Sequence, residues 1–318
     1  MSNPGNSYLV FIFGPTGVGK TDVALKLAQS LPSEIINIDV GQFYTPLSIG
    51  TAKPDWKNEP IVHHLFDIIN TPEDFTVSEY RKKFLEVVKE IWKRNHLPIV
   101  VGGSAYYIYS LLFPPRAGTL TSSKDFDYSE DAPLLWEKLY NIDPKRADQI
   151  NKNDLYRIKR ALEIWHTTGK KPSEFEPSYD PPSPYTLICL TRDRDDLYER
   201  INSRTKQMIE AGWIDEVKSL KSTPWEPFLK TKKLIGYPEI LDHIDAKMDL
   251  NETVSIIQQE TRNYAKRQLV FWRRLEKQLK NQNLSDLTCI ETINLTSCDL
   301  DLYIKQLSEQ LKTKMMLS

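Results

Sequence analysis

A glycine-rich segment near the amino terminus has the residue types and spacing of a phosphate-binding loop. Residues Gly14-Pro-Thr-Gly-Val-Gly-Lys20-Thr21 fit the pattern G-x-x-x-x-G-K-[S/T]. The apolar run Tyr8–Phe13, a predicted strand, precedes it, and Asp22–Ser30, with helical spacing, follows it. Backbone N–H groups of such a loop surround a phosphate chain at the positive end of a helix. The sequence therefore predicts a site for a di- or triphosphate.

The side chains at the end of this loop have distinct predicted roles. Lys20 supplies a positive charge for the terminal phosphate, and the Thr21 hydroxyl is a ligand for Mg²⁺. The other predicted diphosphate-binding positions are Gly14, Pro15, Thr16, Gly17, Val18 and Gly19. Nucleoside kinases, NTPases and transferases that release diphosphate all use such a loop, so the loop alone leaves the reaction open.

A second candidate is Asp39, which follows the predicted strand Glu34–Ile38. Its carboxylate is expected at the carboxyl edge of a sheet, beside the phosphate loop. There it could accept a proton from a nucleophile, or hold Mg²⁺ through water. A turn or helix-cap aspartate is the structural alternative, and position alone leaves the three interpretations open.

The elements that must position these residues alternate between strand and helix. Leu97–Val101 is another predicted strand, and Val77–Arg94 has the apolar spacing of an amphipathic helix. Repeated strand–helix–strand order predicts an α/β fold with a parallel sheet.

From about Pro114, prolines, charges and helical patterns replace strands, and four of the twelve residues in Ser173–Pro184 are proline. A return strand is predicted at Tyr185–Leu190, followed by helices at Leu197–Gly212, Asp215–Leu220 and 251–280. We therefore predict an α/β core in residues 1–114, a helical insertion in 115–184, and completion of the core with carboxyl-terminal helices in 185–318. The last 38 residues hold one apolar run, 287–295, and a predicted closing helix, without assigned chemistry.

Composition limits the class of protein and its surroundings. The 318 residues include 42 Lys and Arg against 43 Asp and Glu, so nucleic acid would have to be held by local basic patches. Three cysteines without a C-x-x-C pair predict cytosolic thiols and exclude a zinc ribbon. We find no membrane-spanning run and no signal peptide, which predicts a cytoplasmic protein.

Several motifs follow the phosphate loop in a fixed order. Together they resemble the bacterial tRNA dimethylallyltransferase family, also called tRNA isopentenyltransferases, over roughly residues 8–275. The matching segments are Asp39-Val-Gly-Gln42, Ile49–Pro54, His63–Ile68, Val101–Tyr107, Asn153-Asp154, Arg157–Ile164, Arg200 to Glu216, Ile235–Tyr237 and Thr261–Gln268.

The resemblance implies a P-loop kinase-like core and a reaction. The family transfers the dimethylallyl group of dimethylallyl diphosphate to N6 of the adenine 3′-adjacent to the anticodon, position 37, of tRNAs that read codons beginning with U. Diphosphate is released. The helical insertion would grip the anticodon arm, and Mg²⁺ would assist. The sequence shows no coiled coil and no exposed apolar stripe, which predicts a monomer.

The resemblance also implies roles for single residues. Lys20, Thr21 and Mg²⁺ would neutralise the leaving diphosphate, and Asp39 would accept the proton of the adenine amine. Ser104 stands where the family has a threonine that contacts the reacting centre. Arg200 or Arg204 would clamp the diphosphate, and the sequence does not decide between them.

The sequence departs from the family pattern at several positions. Val40 and Gly41 replace the Ser and Met of Asp-Ser-Met-Gln, and Pro238 replaces the arginine of Gly-Tyr-Arg. The stretch 114–127 lacks the usual arginine-bearing start of the insertion. We expect altered tRNA contacts rather than lost catalysis.

Two helices carry the predicted RNA surface. Residues 262–280 hold seven basic groups and one acid. A helical wheel places on one face the basic residues Lys266, Arg267, Arg273, Arg274 and Lys277, and on another the apolar residues Ala265, Leu269, Trp272, Leu275 and Leu279. The helix from Asp154 to Thr168, ended by Gly169, presents a second basic face with Arg157 and Arg160. Opposite it lies an apolar stripe of Leu155, Ile158, Leu162 and Trp165. The full set of predicted tRNA contacts is Asp39, Val40, Gly41, Gln42, Ser104, Tyr156, Arg157, Ile158, Lys159, Arg160, Lys233, Lys266, Arg267, Gln268 and Arg273.

Two other functions remain as alternatives. One is an isopentenyltransferase that acts on free adenylate, which would leave the insertion and the basic helix unexplained. The other is an NTP-driven kinase or RNA-binding ATPase in which Asp39 is the Mg²⁺ acid. For His63 and His64 we predict structural hydrogen bonding, and for the tryptophans a place in the core.

Overall fold

The computed structural model describes residues 7–114, 130–175 and 177–317. The chain divides into two compact units: a core unit, comprising the described parts of 1–108 and 182–318, and an insertion unit, comprising those of 109–181. The predicted insertion, residues 115–184, begins and ends a few residues later. Of the stretch 114–127, all but Pro114 lies outside the described residues.

The core unit is built on a six-stranded parallel sheet, which confirms the predicted α/β fold class. The strand order is β3-β2-β4-β1-β5-β6. The strands are β1 Leu9–Phe13, β2 Ser33–Asn37, β3 His63–His64, β4 Leu97–Gly102, β5 Tyr185–Thr191 and β6 Cys289–Asn294. Because β1 pairs with both β4 and β5, the loop that follows β1 lies at the middle of the sheet's carboxyl edge.

Twelve α-helices are described. In chain order they are α1 Lys20–Ser30, α2 Val77–Lys93, α3 Ala105–Leu112, α4 Ala132–Ile142, α5 Pro144–Ala147, α6 Leu155–Thr168, α7 Arg194–Glu210, α8 Trp213–Leu220, α9 Trp225–Lys232, α10 Tyr237–Ile244, α11 Leu250–Lys280 and α12 Leu300–Leu317. Short 3₁₀ turns cover Val40–Phe43 and Pro172–Phe175. The sequence did not predict α9 and α10, and it predicted β6 only as an apolar run.

Local sequence explains where the longer helices begin. Thr76 and Glu79 form a reciprocal capping box before α2, in which the Thr76 hydroxyl accepts from the Glu79 N–H. The Asp249 carboxylate accepts from the N–H of Glu252 and begins α11. These caps satisfy N–H groups that lack partners within the helix.

The core packs around the central strands. All five residues of β1 are buried, and α1 contributes Val23, Ala24 and Leu27 to the same cluster. A second cluster joins α8, α9, α10 and α11 around Trp213 and Tyr237. Trp225 and Trp272 are buried as well, which confirms the predicted place of these tryptophans in the core.

Glu34 anchors the amino-terminal end of β2. Arg94 donates to both of its carboxylate oxygens at 2.8 Å, and ring nitrogens of His64 and His96 lie 2.6 and 2.9 Å from them. Burial alone would raise the pKa of Glu34, but these hydrogen bonds outweigh it and lower the pKa to about 2. His64 therefore has the structural role predicted for it, as does His63, whose ring lies 2.7 Å from the Ile61 carbonyl.

The insertion unit has an apolar core of its own. Leu135 and Leu139 of α4 pack with Ile158 and Leu162 of α6. Asp143 is buried, and its carboxylate accepts from the N–H groups of Arg146 and Ser173. Gly169 ends α6 in the left-handed conformation, as predicted.

The described helices include none with the length and apolar character needed to cross a membrane. The three cysteines, all within the described ranges, are free thiols.

Candidate active site

The predicted phosphate loop connects β1 to α1, so both flanking elements are confirmed. Gly17 and Gly19 have φ angles of 81° and 107°, in the left-handed region that favours glycine. Gly19 is the residue before α1, whose free N–H groups open toward the loop. The backbone thus has the turn and the helix end that an anion site requires.

Lys20 lies across the loop, because its Nζ donates to the carbonyls of Gly14 at 3.1 Å and Pro15 at 3.0 Å. Burial lowers the pKa of Lys20 to about 8, against the opposing effect of the negative charge of Asp39. Its ammonium is therefore a buried charge that a bound anion would stabilise.

Three arginines contact three successive residues of the loop. Arg204 Nη2 donates to Thr16 Oγ1 at 2.6 Å, Arg200 Nε donates to the Gly17 carbonyl at 3.0 Å, and Arg192 Nε donates to the Val18 carbonyl at 2.8 Å. Arg204 also interacts with Asp39, and burial lowers its pKa. Arg200, by contrast, is exposed. The geometry therefore favours Arg204 over Arg200 as the residue that binds the diphosphate. It also shows a contact between Arg192 and the loop, which the sequence did not predict.

Gln268 of α11 joins two loops of the site. Its Oε1 accepts from the Thr16 N–H at 2.9 Å, and its Nε2 donates to the Gly103 carbonyl at 2.8 Å. The side chain is buried, so it is a positioning group and not the tRNA-contacting surface group that we predicted. The signal was present in the sequence, since Gln268 lies three residues after Ala265 and four before Trp272 on the apolar face.

Asp39 follows β2 and begins the 3₁₀ turn Val40–Phe43. Its Oδ1 accepts from the Gly41 N–H at 3.2 Å, so the turn-cap interpretation is correct. The same carboxylate interacts with Lys20 and Arg204. Burial raises the pKa of Asp39, although both cations and the Gly41 N–H lower it in part. Asp39 is thus a half-buried carboxylate with more than ordinary basicity, close to the phosphate loop.

Ser104 lies beside Asp39, and its Oγ accepts from the Val40 N–H at 3.4 Å. A Cβ on Gly41 would lie 2.8 Å from Thr51 Cγ2, so a larger residue would require that side chain to shift. Because Thr51 packs so closely against position 41, glycine fits there without displacing it. The Gln42 amide donates to the carbonyls of Thr51 and Ala52, which fixes the same loop from its other side.

A cavity of about 370 Å³ contains these groups. Its lining combines the polar side chains of Thr16, Arg204 and Asp39 with apolar side chains such as Met208, Ile235 and Ile257. The lining residues are Thr16, Asp39, Val40, Gly41, Gly50, Thr51, Ser104, Arg204, Thr205, Met208, Trp213, Lys233, Leu234, Ile235, Tyr237, Ile257, Thr261, Tyr264 and Arg267. A residue of the phosphate loop, a carboxylate and a set of apolar side chains therefore line one chamber.

Glu216 shapes the wall of this cavity. Its carboxylate accepts from the N–H groups of Ser48, Ile49 and Gly50 at 2.7–3.2 Å and from the Tyr237 hydroxyl at 2.9 Å. The sequence marked Glu216 and Tyr237 only as motif positions. Pro238, the departure next to Tyr237, is in the first turn of α10, where a missing N–H costs no helical hydrogen bond.

The basic face predicted for α11 is exposed. Its members are Lys266, Arg267, Arg273, Arg274 and Lys277. On the opposite face Ala265, Trp272, Leu275 and Leu279 are buried, as predicted, and Leu269 is half-buried. Arg267 also lines the cavity, so one member of the basic face belongs to the site. Lys233, another predicted contact, lines the same cavity.

The predicted tRNA contacts in the insertion unit divide by exposure. Tyr156 is 80% exposed, and Arg157 is exposed with an ion pair to Asp154. Lys159 and Arg160 are half-buried. Ile158 is fully buried in the core of this unit, so its predicted contact with tRNA is wrong. Leu155, predicted for the apolar stripe, is instead 39% exposed.

The described residues contain no cluster of three His, Cys, Asp or Glu side chains able to hold a metal ion. The exposed Thr21 hydroxyl, in the first turn of α1, fits a cation carried mainly by phosphate oxygens and water. Mg²⁺ is commonly bound in this way.

Comparison with known proteins gives consistent matches across the chain. The family model described as IPP transferase matches residues 42–275, and the model described as isopentenyl transferase matches residues 7–63. A tRNA dimethylallyltransferase of Alkaliphilus metalliredigens is 39% identical over 288 residues, covering 87% of this chain and 92% of that protein. One of Thermotoga maritima is 34% identical, covering 85% and 90%.

Solved structures agree with these sequence matches. The crystal structure of the tRNA isopentenylpyrophosphate transferase of Bacillus halodurans aligns with a TM-score of 0.68 and 33% identity, covering 97% of this chain and 96% of that one. A eukaryotic dimethylallyltransferase, captured acting on tRNA, aligns with a TM-score of 0.76 and 28% identity, covering 96% and 77%.

Proposed function

This chain belongs to the IPP transferase family, and from that premise we propose that it transfers the dimethylallyl group of dimethylallyl diphosphate to tRNA. The acceptor is N6 of the adenine 3′-adjacent to the anticodon, at position 37, in tRNAs that read codons beginning with U. The observation that carries the proposal is the shared cavity: Asp39, Arg204 and several apolar side chains line one space of about 370 Å³.

The phosphate end of the cavity suits a leaving diphosphate. As the C–O bond to the dimethylallyl carbon breaks, negative charge develops on the bridging oxygen. Lys20, Arg204 and the N–H groups before α1 are fixed around that end, so their charges and dipoles favour the departing group without further rearrangement. The apolar wall provided by Met208, Ile235 and Ile257 suits the branched hydrocarbon.

Asp39 suits the role of the general base. The adenine N6 forms the new bond to carbon and must lose a proton, and the Asp39 carboxylate accepts it. Because burial raises its pKa, Asp39 accepts that proton more readily than an ordinary carboxylate does. Its hydrogen bond from Gly41 holds one oxygen in place, and Ser104 is beside it to orient the amine.

The adenine must leave its stack to reach Asp39, which costs a few kcal/mol. Trp213, Tyr237 and Tyr264 line the chamber and offer aromatic contacts to an extruded purine. Arg267 and Lys233 lie at the same cavity and connect it to the exposed basic face of α11. We assign the phosphate backbone of the anticodon stem-loop to this face, and to Tyr156 and Arg157 of the insertion unit.

Mg²⁺ is the proposed cofactor, with Thr21 as its protein ligand. When bound, the ion would neutralise charge on the diphosphate. Action as a monomer in the cytoplasm remains a prediction from the sequence.

A transfer assay tests the proposal. The full-length protein is given labelled dimethylallyl diphosphate with unmodified tRNA, with AMP, or with ATP alone. We expect label in tRNA only, at the adenine 3′ of the anticodon, and none in a tRNA with guanine at that position. Label in AMP would indicate the free-adenylate reaction, and ATP turnover without prenyl transfer would indicate a kinase or ATPase.

A further inference from the structure

The carboxyl end of β6 reaches the phosphate loop through a chain of hydrogen bonds. Thr296 Oγ1 donates to Asp196 Oδ2 at 2.6 Å, Arg192 Nη1 donates to the same oxygen at 2.8 Å, and Arg192 Nε donates to the Val18 carbonyl at 2.8 Å. Residues 289–296 lie beyond the last residue matched by the family models. This segment is therefore connected to the loop, although the sequence predicted no chemical role for it.

Hydrogen bonds to neighbouring segments hold Thr296, where this chain of contacts begins, in position. β6 pairs with β5 over six residues, from Cys289 to Asn294. Just after it, the Leu295 N–H donates to the Thr191 carbonyl at 2.8 Å, and the Asp193 N–H donates to Thr296 Oγ1 at 2.9 Å. The Thr296 hydroxyl is thus fixed by one bond that it accepts and one that it donates.

Asp196 and Arg192 form the middle of the chain. Hydrogen bonds from Thr296 and Arg192 lower the pKa of Asp196, so it is a carboxylate at neutral pH. The Arg192 side chain is only 17% exposed, and it turns its guanidinium toward the loop. A Cβ on Gly19 would lie 3.8 Å from Arg192 Nη2 and 3.7 Å from Leu295 Cδ1, so both side chains flank Gly19.

We infer that Arg192 is a positioning residue for diphosphate, acting through the Val18–Gly19 peptide and held by Asp196 and Thr296. The carbonyl of that peptide belongs to Val18 and its N–H to Gly19. A charged donor on the carbonyl fixes the plane of the peptide and polarises it, which makes the Gly19 N–H a stronger donor to an anion in the loop. The inference rests on the proposed diphosphate site. It assigns a role at that site to Arg192 and Thr296, which belong to none of the motifs matched in the sequence.

Binding of inorganic pyrophosphate to the full-length protein, measured by calorimetry with Mg²⁺, tests the inference. We expect Arg192→Gln to weaken binding about tenfold and Thr296→Val about threefold, with Thr296→Ser close to wild type. Arg194→Gln removes the same charge from an exposed site two residues away, and Thr292→Val makes the same change on the exposed side of β6. Both controls should bind pyrophosphate as the wild type does.

Kinetics provide the second readout. We expect Arg192→Gln and Thr296→Val to raise KM for dimethylallyl diphosphate, with tRNA affinity and kcat unchanged. Unchanged pyrophosphate affinity in Arg192→Gln, or an equal loss in Arg194→Gln, would overturn the inference. So would a parallel loss of diphosphate affinity, tRNA affinity and thermal stability. If these binding effects are found but wild type transfers no prenyl group to tRNA, only the proposed function fails.

Discussion

Arg204 and Thr16 are joined by a 2.6 Å hydrogen bond from Nη2 to Oγ1, at the point where the phosphate loop meets the cavity. Arg200, one turn earlier on α7, donates to the Gly17 carbonyl and is exposed to solvent. The two arginines are therefore not equivalent, although the sequence could not separate them.

Their difference gives the first prediction. Arg204→Gln should lower kcat/KM for dimethylallyl diphosphate by about 10²-fold, since a buried charge-assisted contact with the diphosphate is lost. Arg200→Gln should lower it by less than about tenfold, because an exposed charge is screened by water. Steady-state kinetics at saturating tRNA provide the measurement. Equal effects, or a larger one in Arg200→Gln, would reject the assignment of Arg204.

Asp39→Asn separates the two roles of that carboxylate. Asparagine keeps an oxygen for the Gly41 N–H but cannot take the amine proton, so we expect kcat to fall about 10²-fold or more with little change in Tm. Asp39→Ala should lose both the proton acceptor and the turn contact. Single-turnover rates with thermal melts make the comparison. Near-normal turnover with weaker Mg²⁺ dependence would place Asp39 at the metal instead.

Diphosphate affinity should depend on pH through Lys20, whose pKa burial lowers to about 8. Below that pH the free protein holds the ammonium form that an anion requires. Above it, binding must first recruit a proton, so the affinity should fall as pH rises past about 8. Pyrophosphate titrations between neutral and alkaline pH follow this. Lys20→Met should bind weakly and lose that dependence, and a decline retained in this variant would assign it to another group.

The exposed basic face of α11 should set the affinity for tRNA. Replacing Arg273 and Arg274 with glutamine should weaken tRNA binding and leave pyrophosphate affinity unchanged. The slope of log affinity for tRNA against log salt concentration should become shallower by about two. Filter binding at several salt concentrations measures both quantities. Lys305→Gln with Lys312→Gln removes the same charge from exposed positions of α12 and serves as the control. Equal slopes in both double variants would exclude the α11 face from the RNA surface.

Glu34 should stabilise the fold in a pH-dependent way. Its pKa is about 2 in the folded state against an ordinary value of 4.5, so its contribution is complete above about pH 4.5 and is lost as pH falls toward 2. At neutral pH, Glu34→Gln should lower the free energy of unfolding by about 2–3 kcal/mol, since Arg94 loses its buried carboxylate partner. Denaturant unfolding should show this difference shrinking in acid.

The matched variant for that experiment is Glu90→Gln, because Glu90 is an exposed residue of α2 paired with Lys93. Its free energy of unfolding should stay close to that of the wild type, because water screens an exposed ion pair. A pH-independent loss in Glu34→Gln would mean that packing, not charge, is responsible.

Short-range patterns in the sequence predicted much of this molecule. The phosphate loop and its flanking elements were correct because glycine spacing, a buried strand and a following helix are all local signals. The long helix near 251–280 and the end of α6 at Gly169 were correct for the same reason. β3, with only two residues, carries no periodicity, so the sequence did not reveal it.

What the sequence could not predict was how distant residues combine. Gln268 and Ile158 were assigned to tRNA because they belong to family motifs, although their positions on the helices already placed them inward. The resemblance implied a channel for the adenine, but the sequence could not show which residues line it, because α7, α8, α10 and α11 meet only in the folded chain. Arg192 was missed because no repeat or motif marks it, and only its contact with Val18 reveals it.

The strand order has a consequence for protein synthesis. β1, which precedes the phosphate loop, pairs with β5, and β5 pairs with β6 near the carboxyl terminus. The supports of the loop therefore arrive one after another: Arg204 with α7, Gln268 with α11, and Thr296 only at the end. A nascent chain that has not yet been synthesised as far as α11 therefore has a phosphate loop without Gln268 and Thr296, and two of the contacts that hold the loop and its neighbour Arg192 are missing.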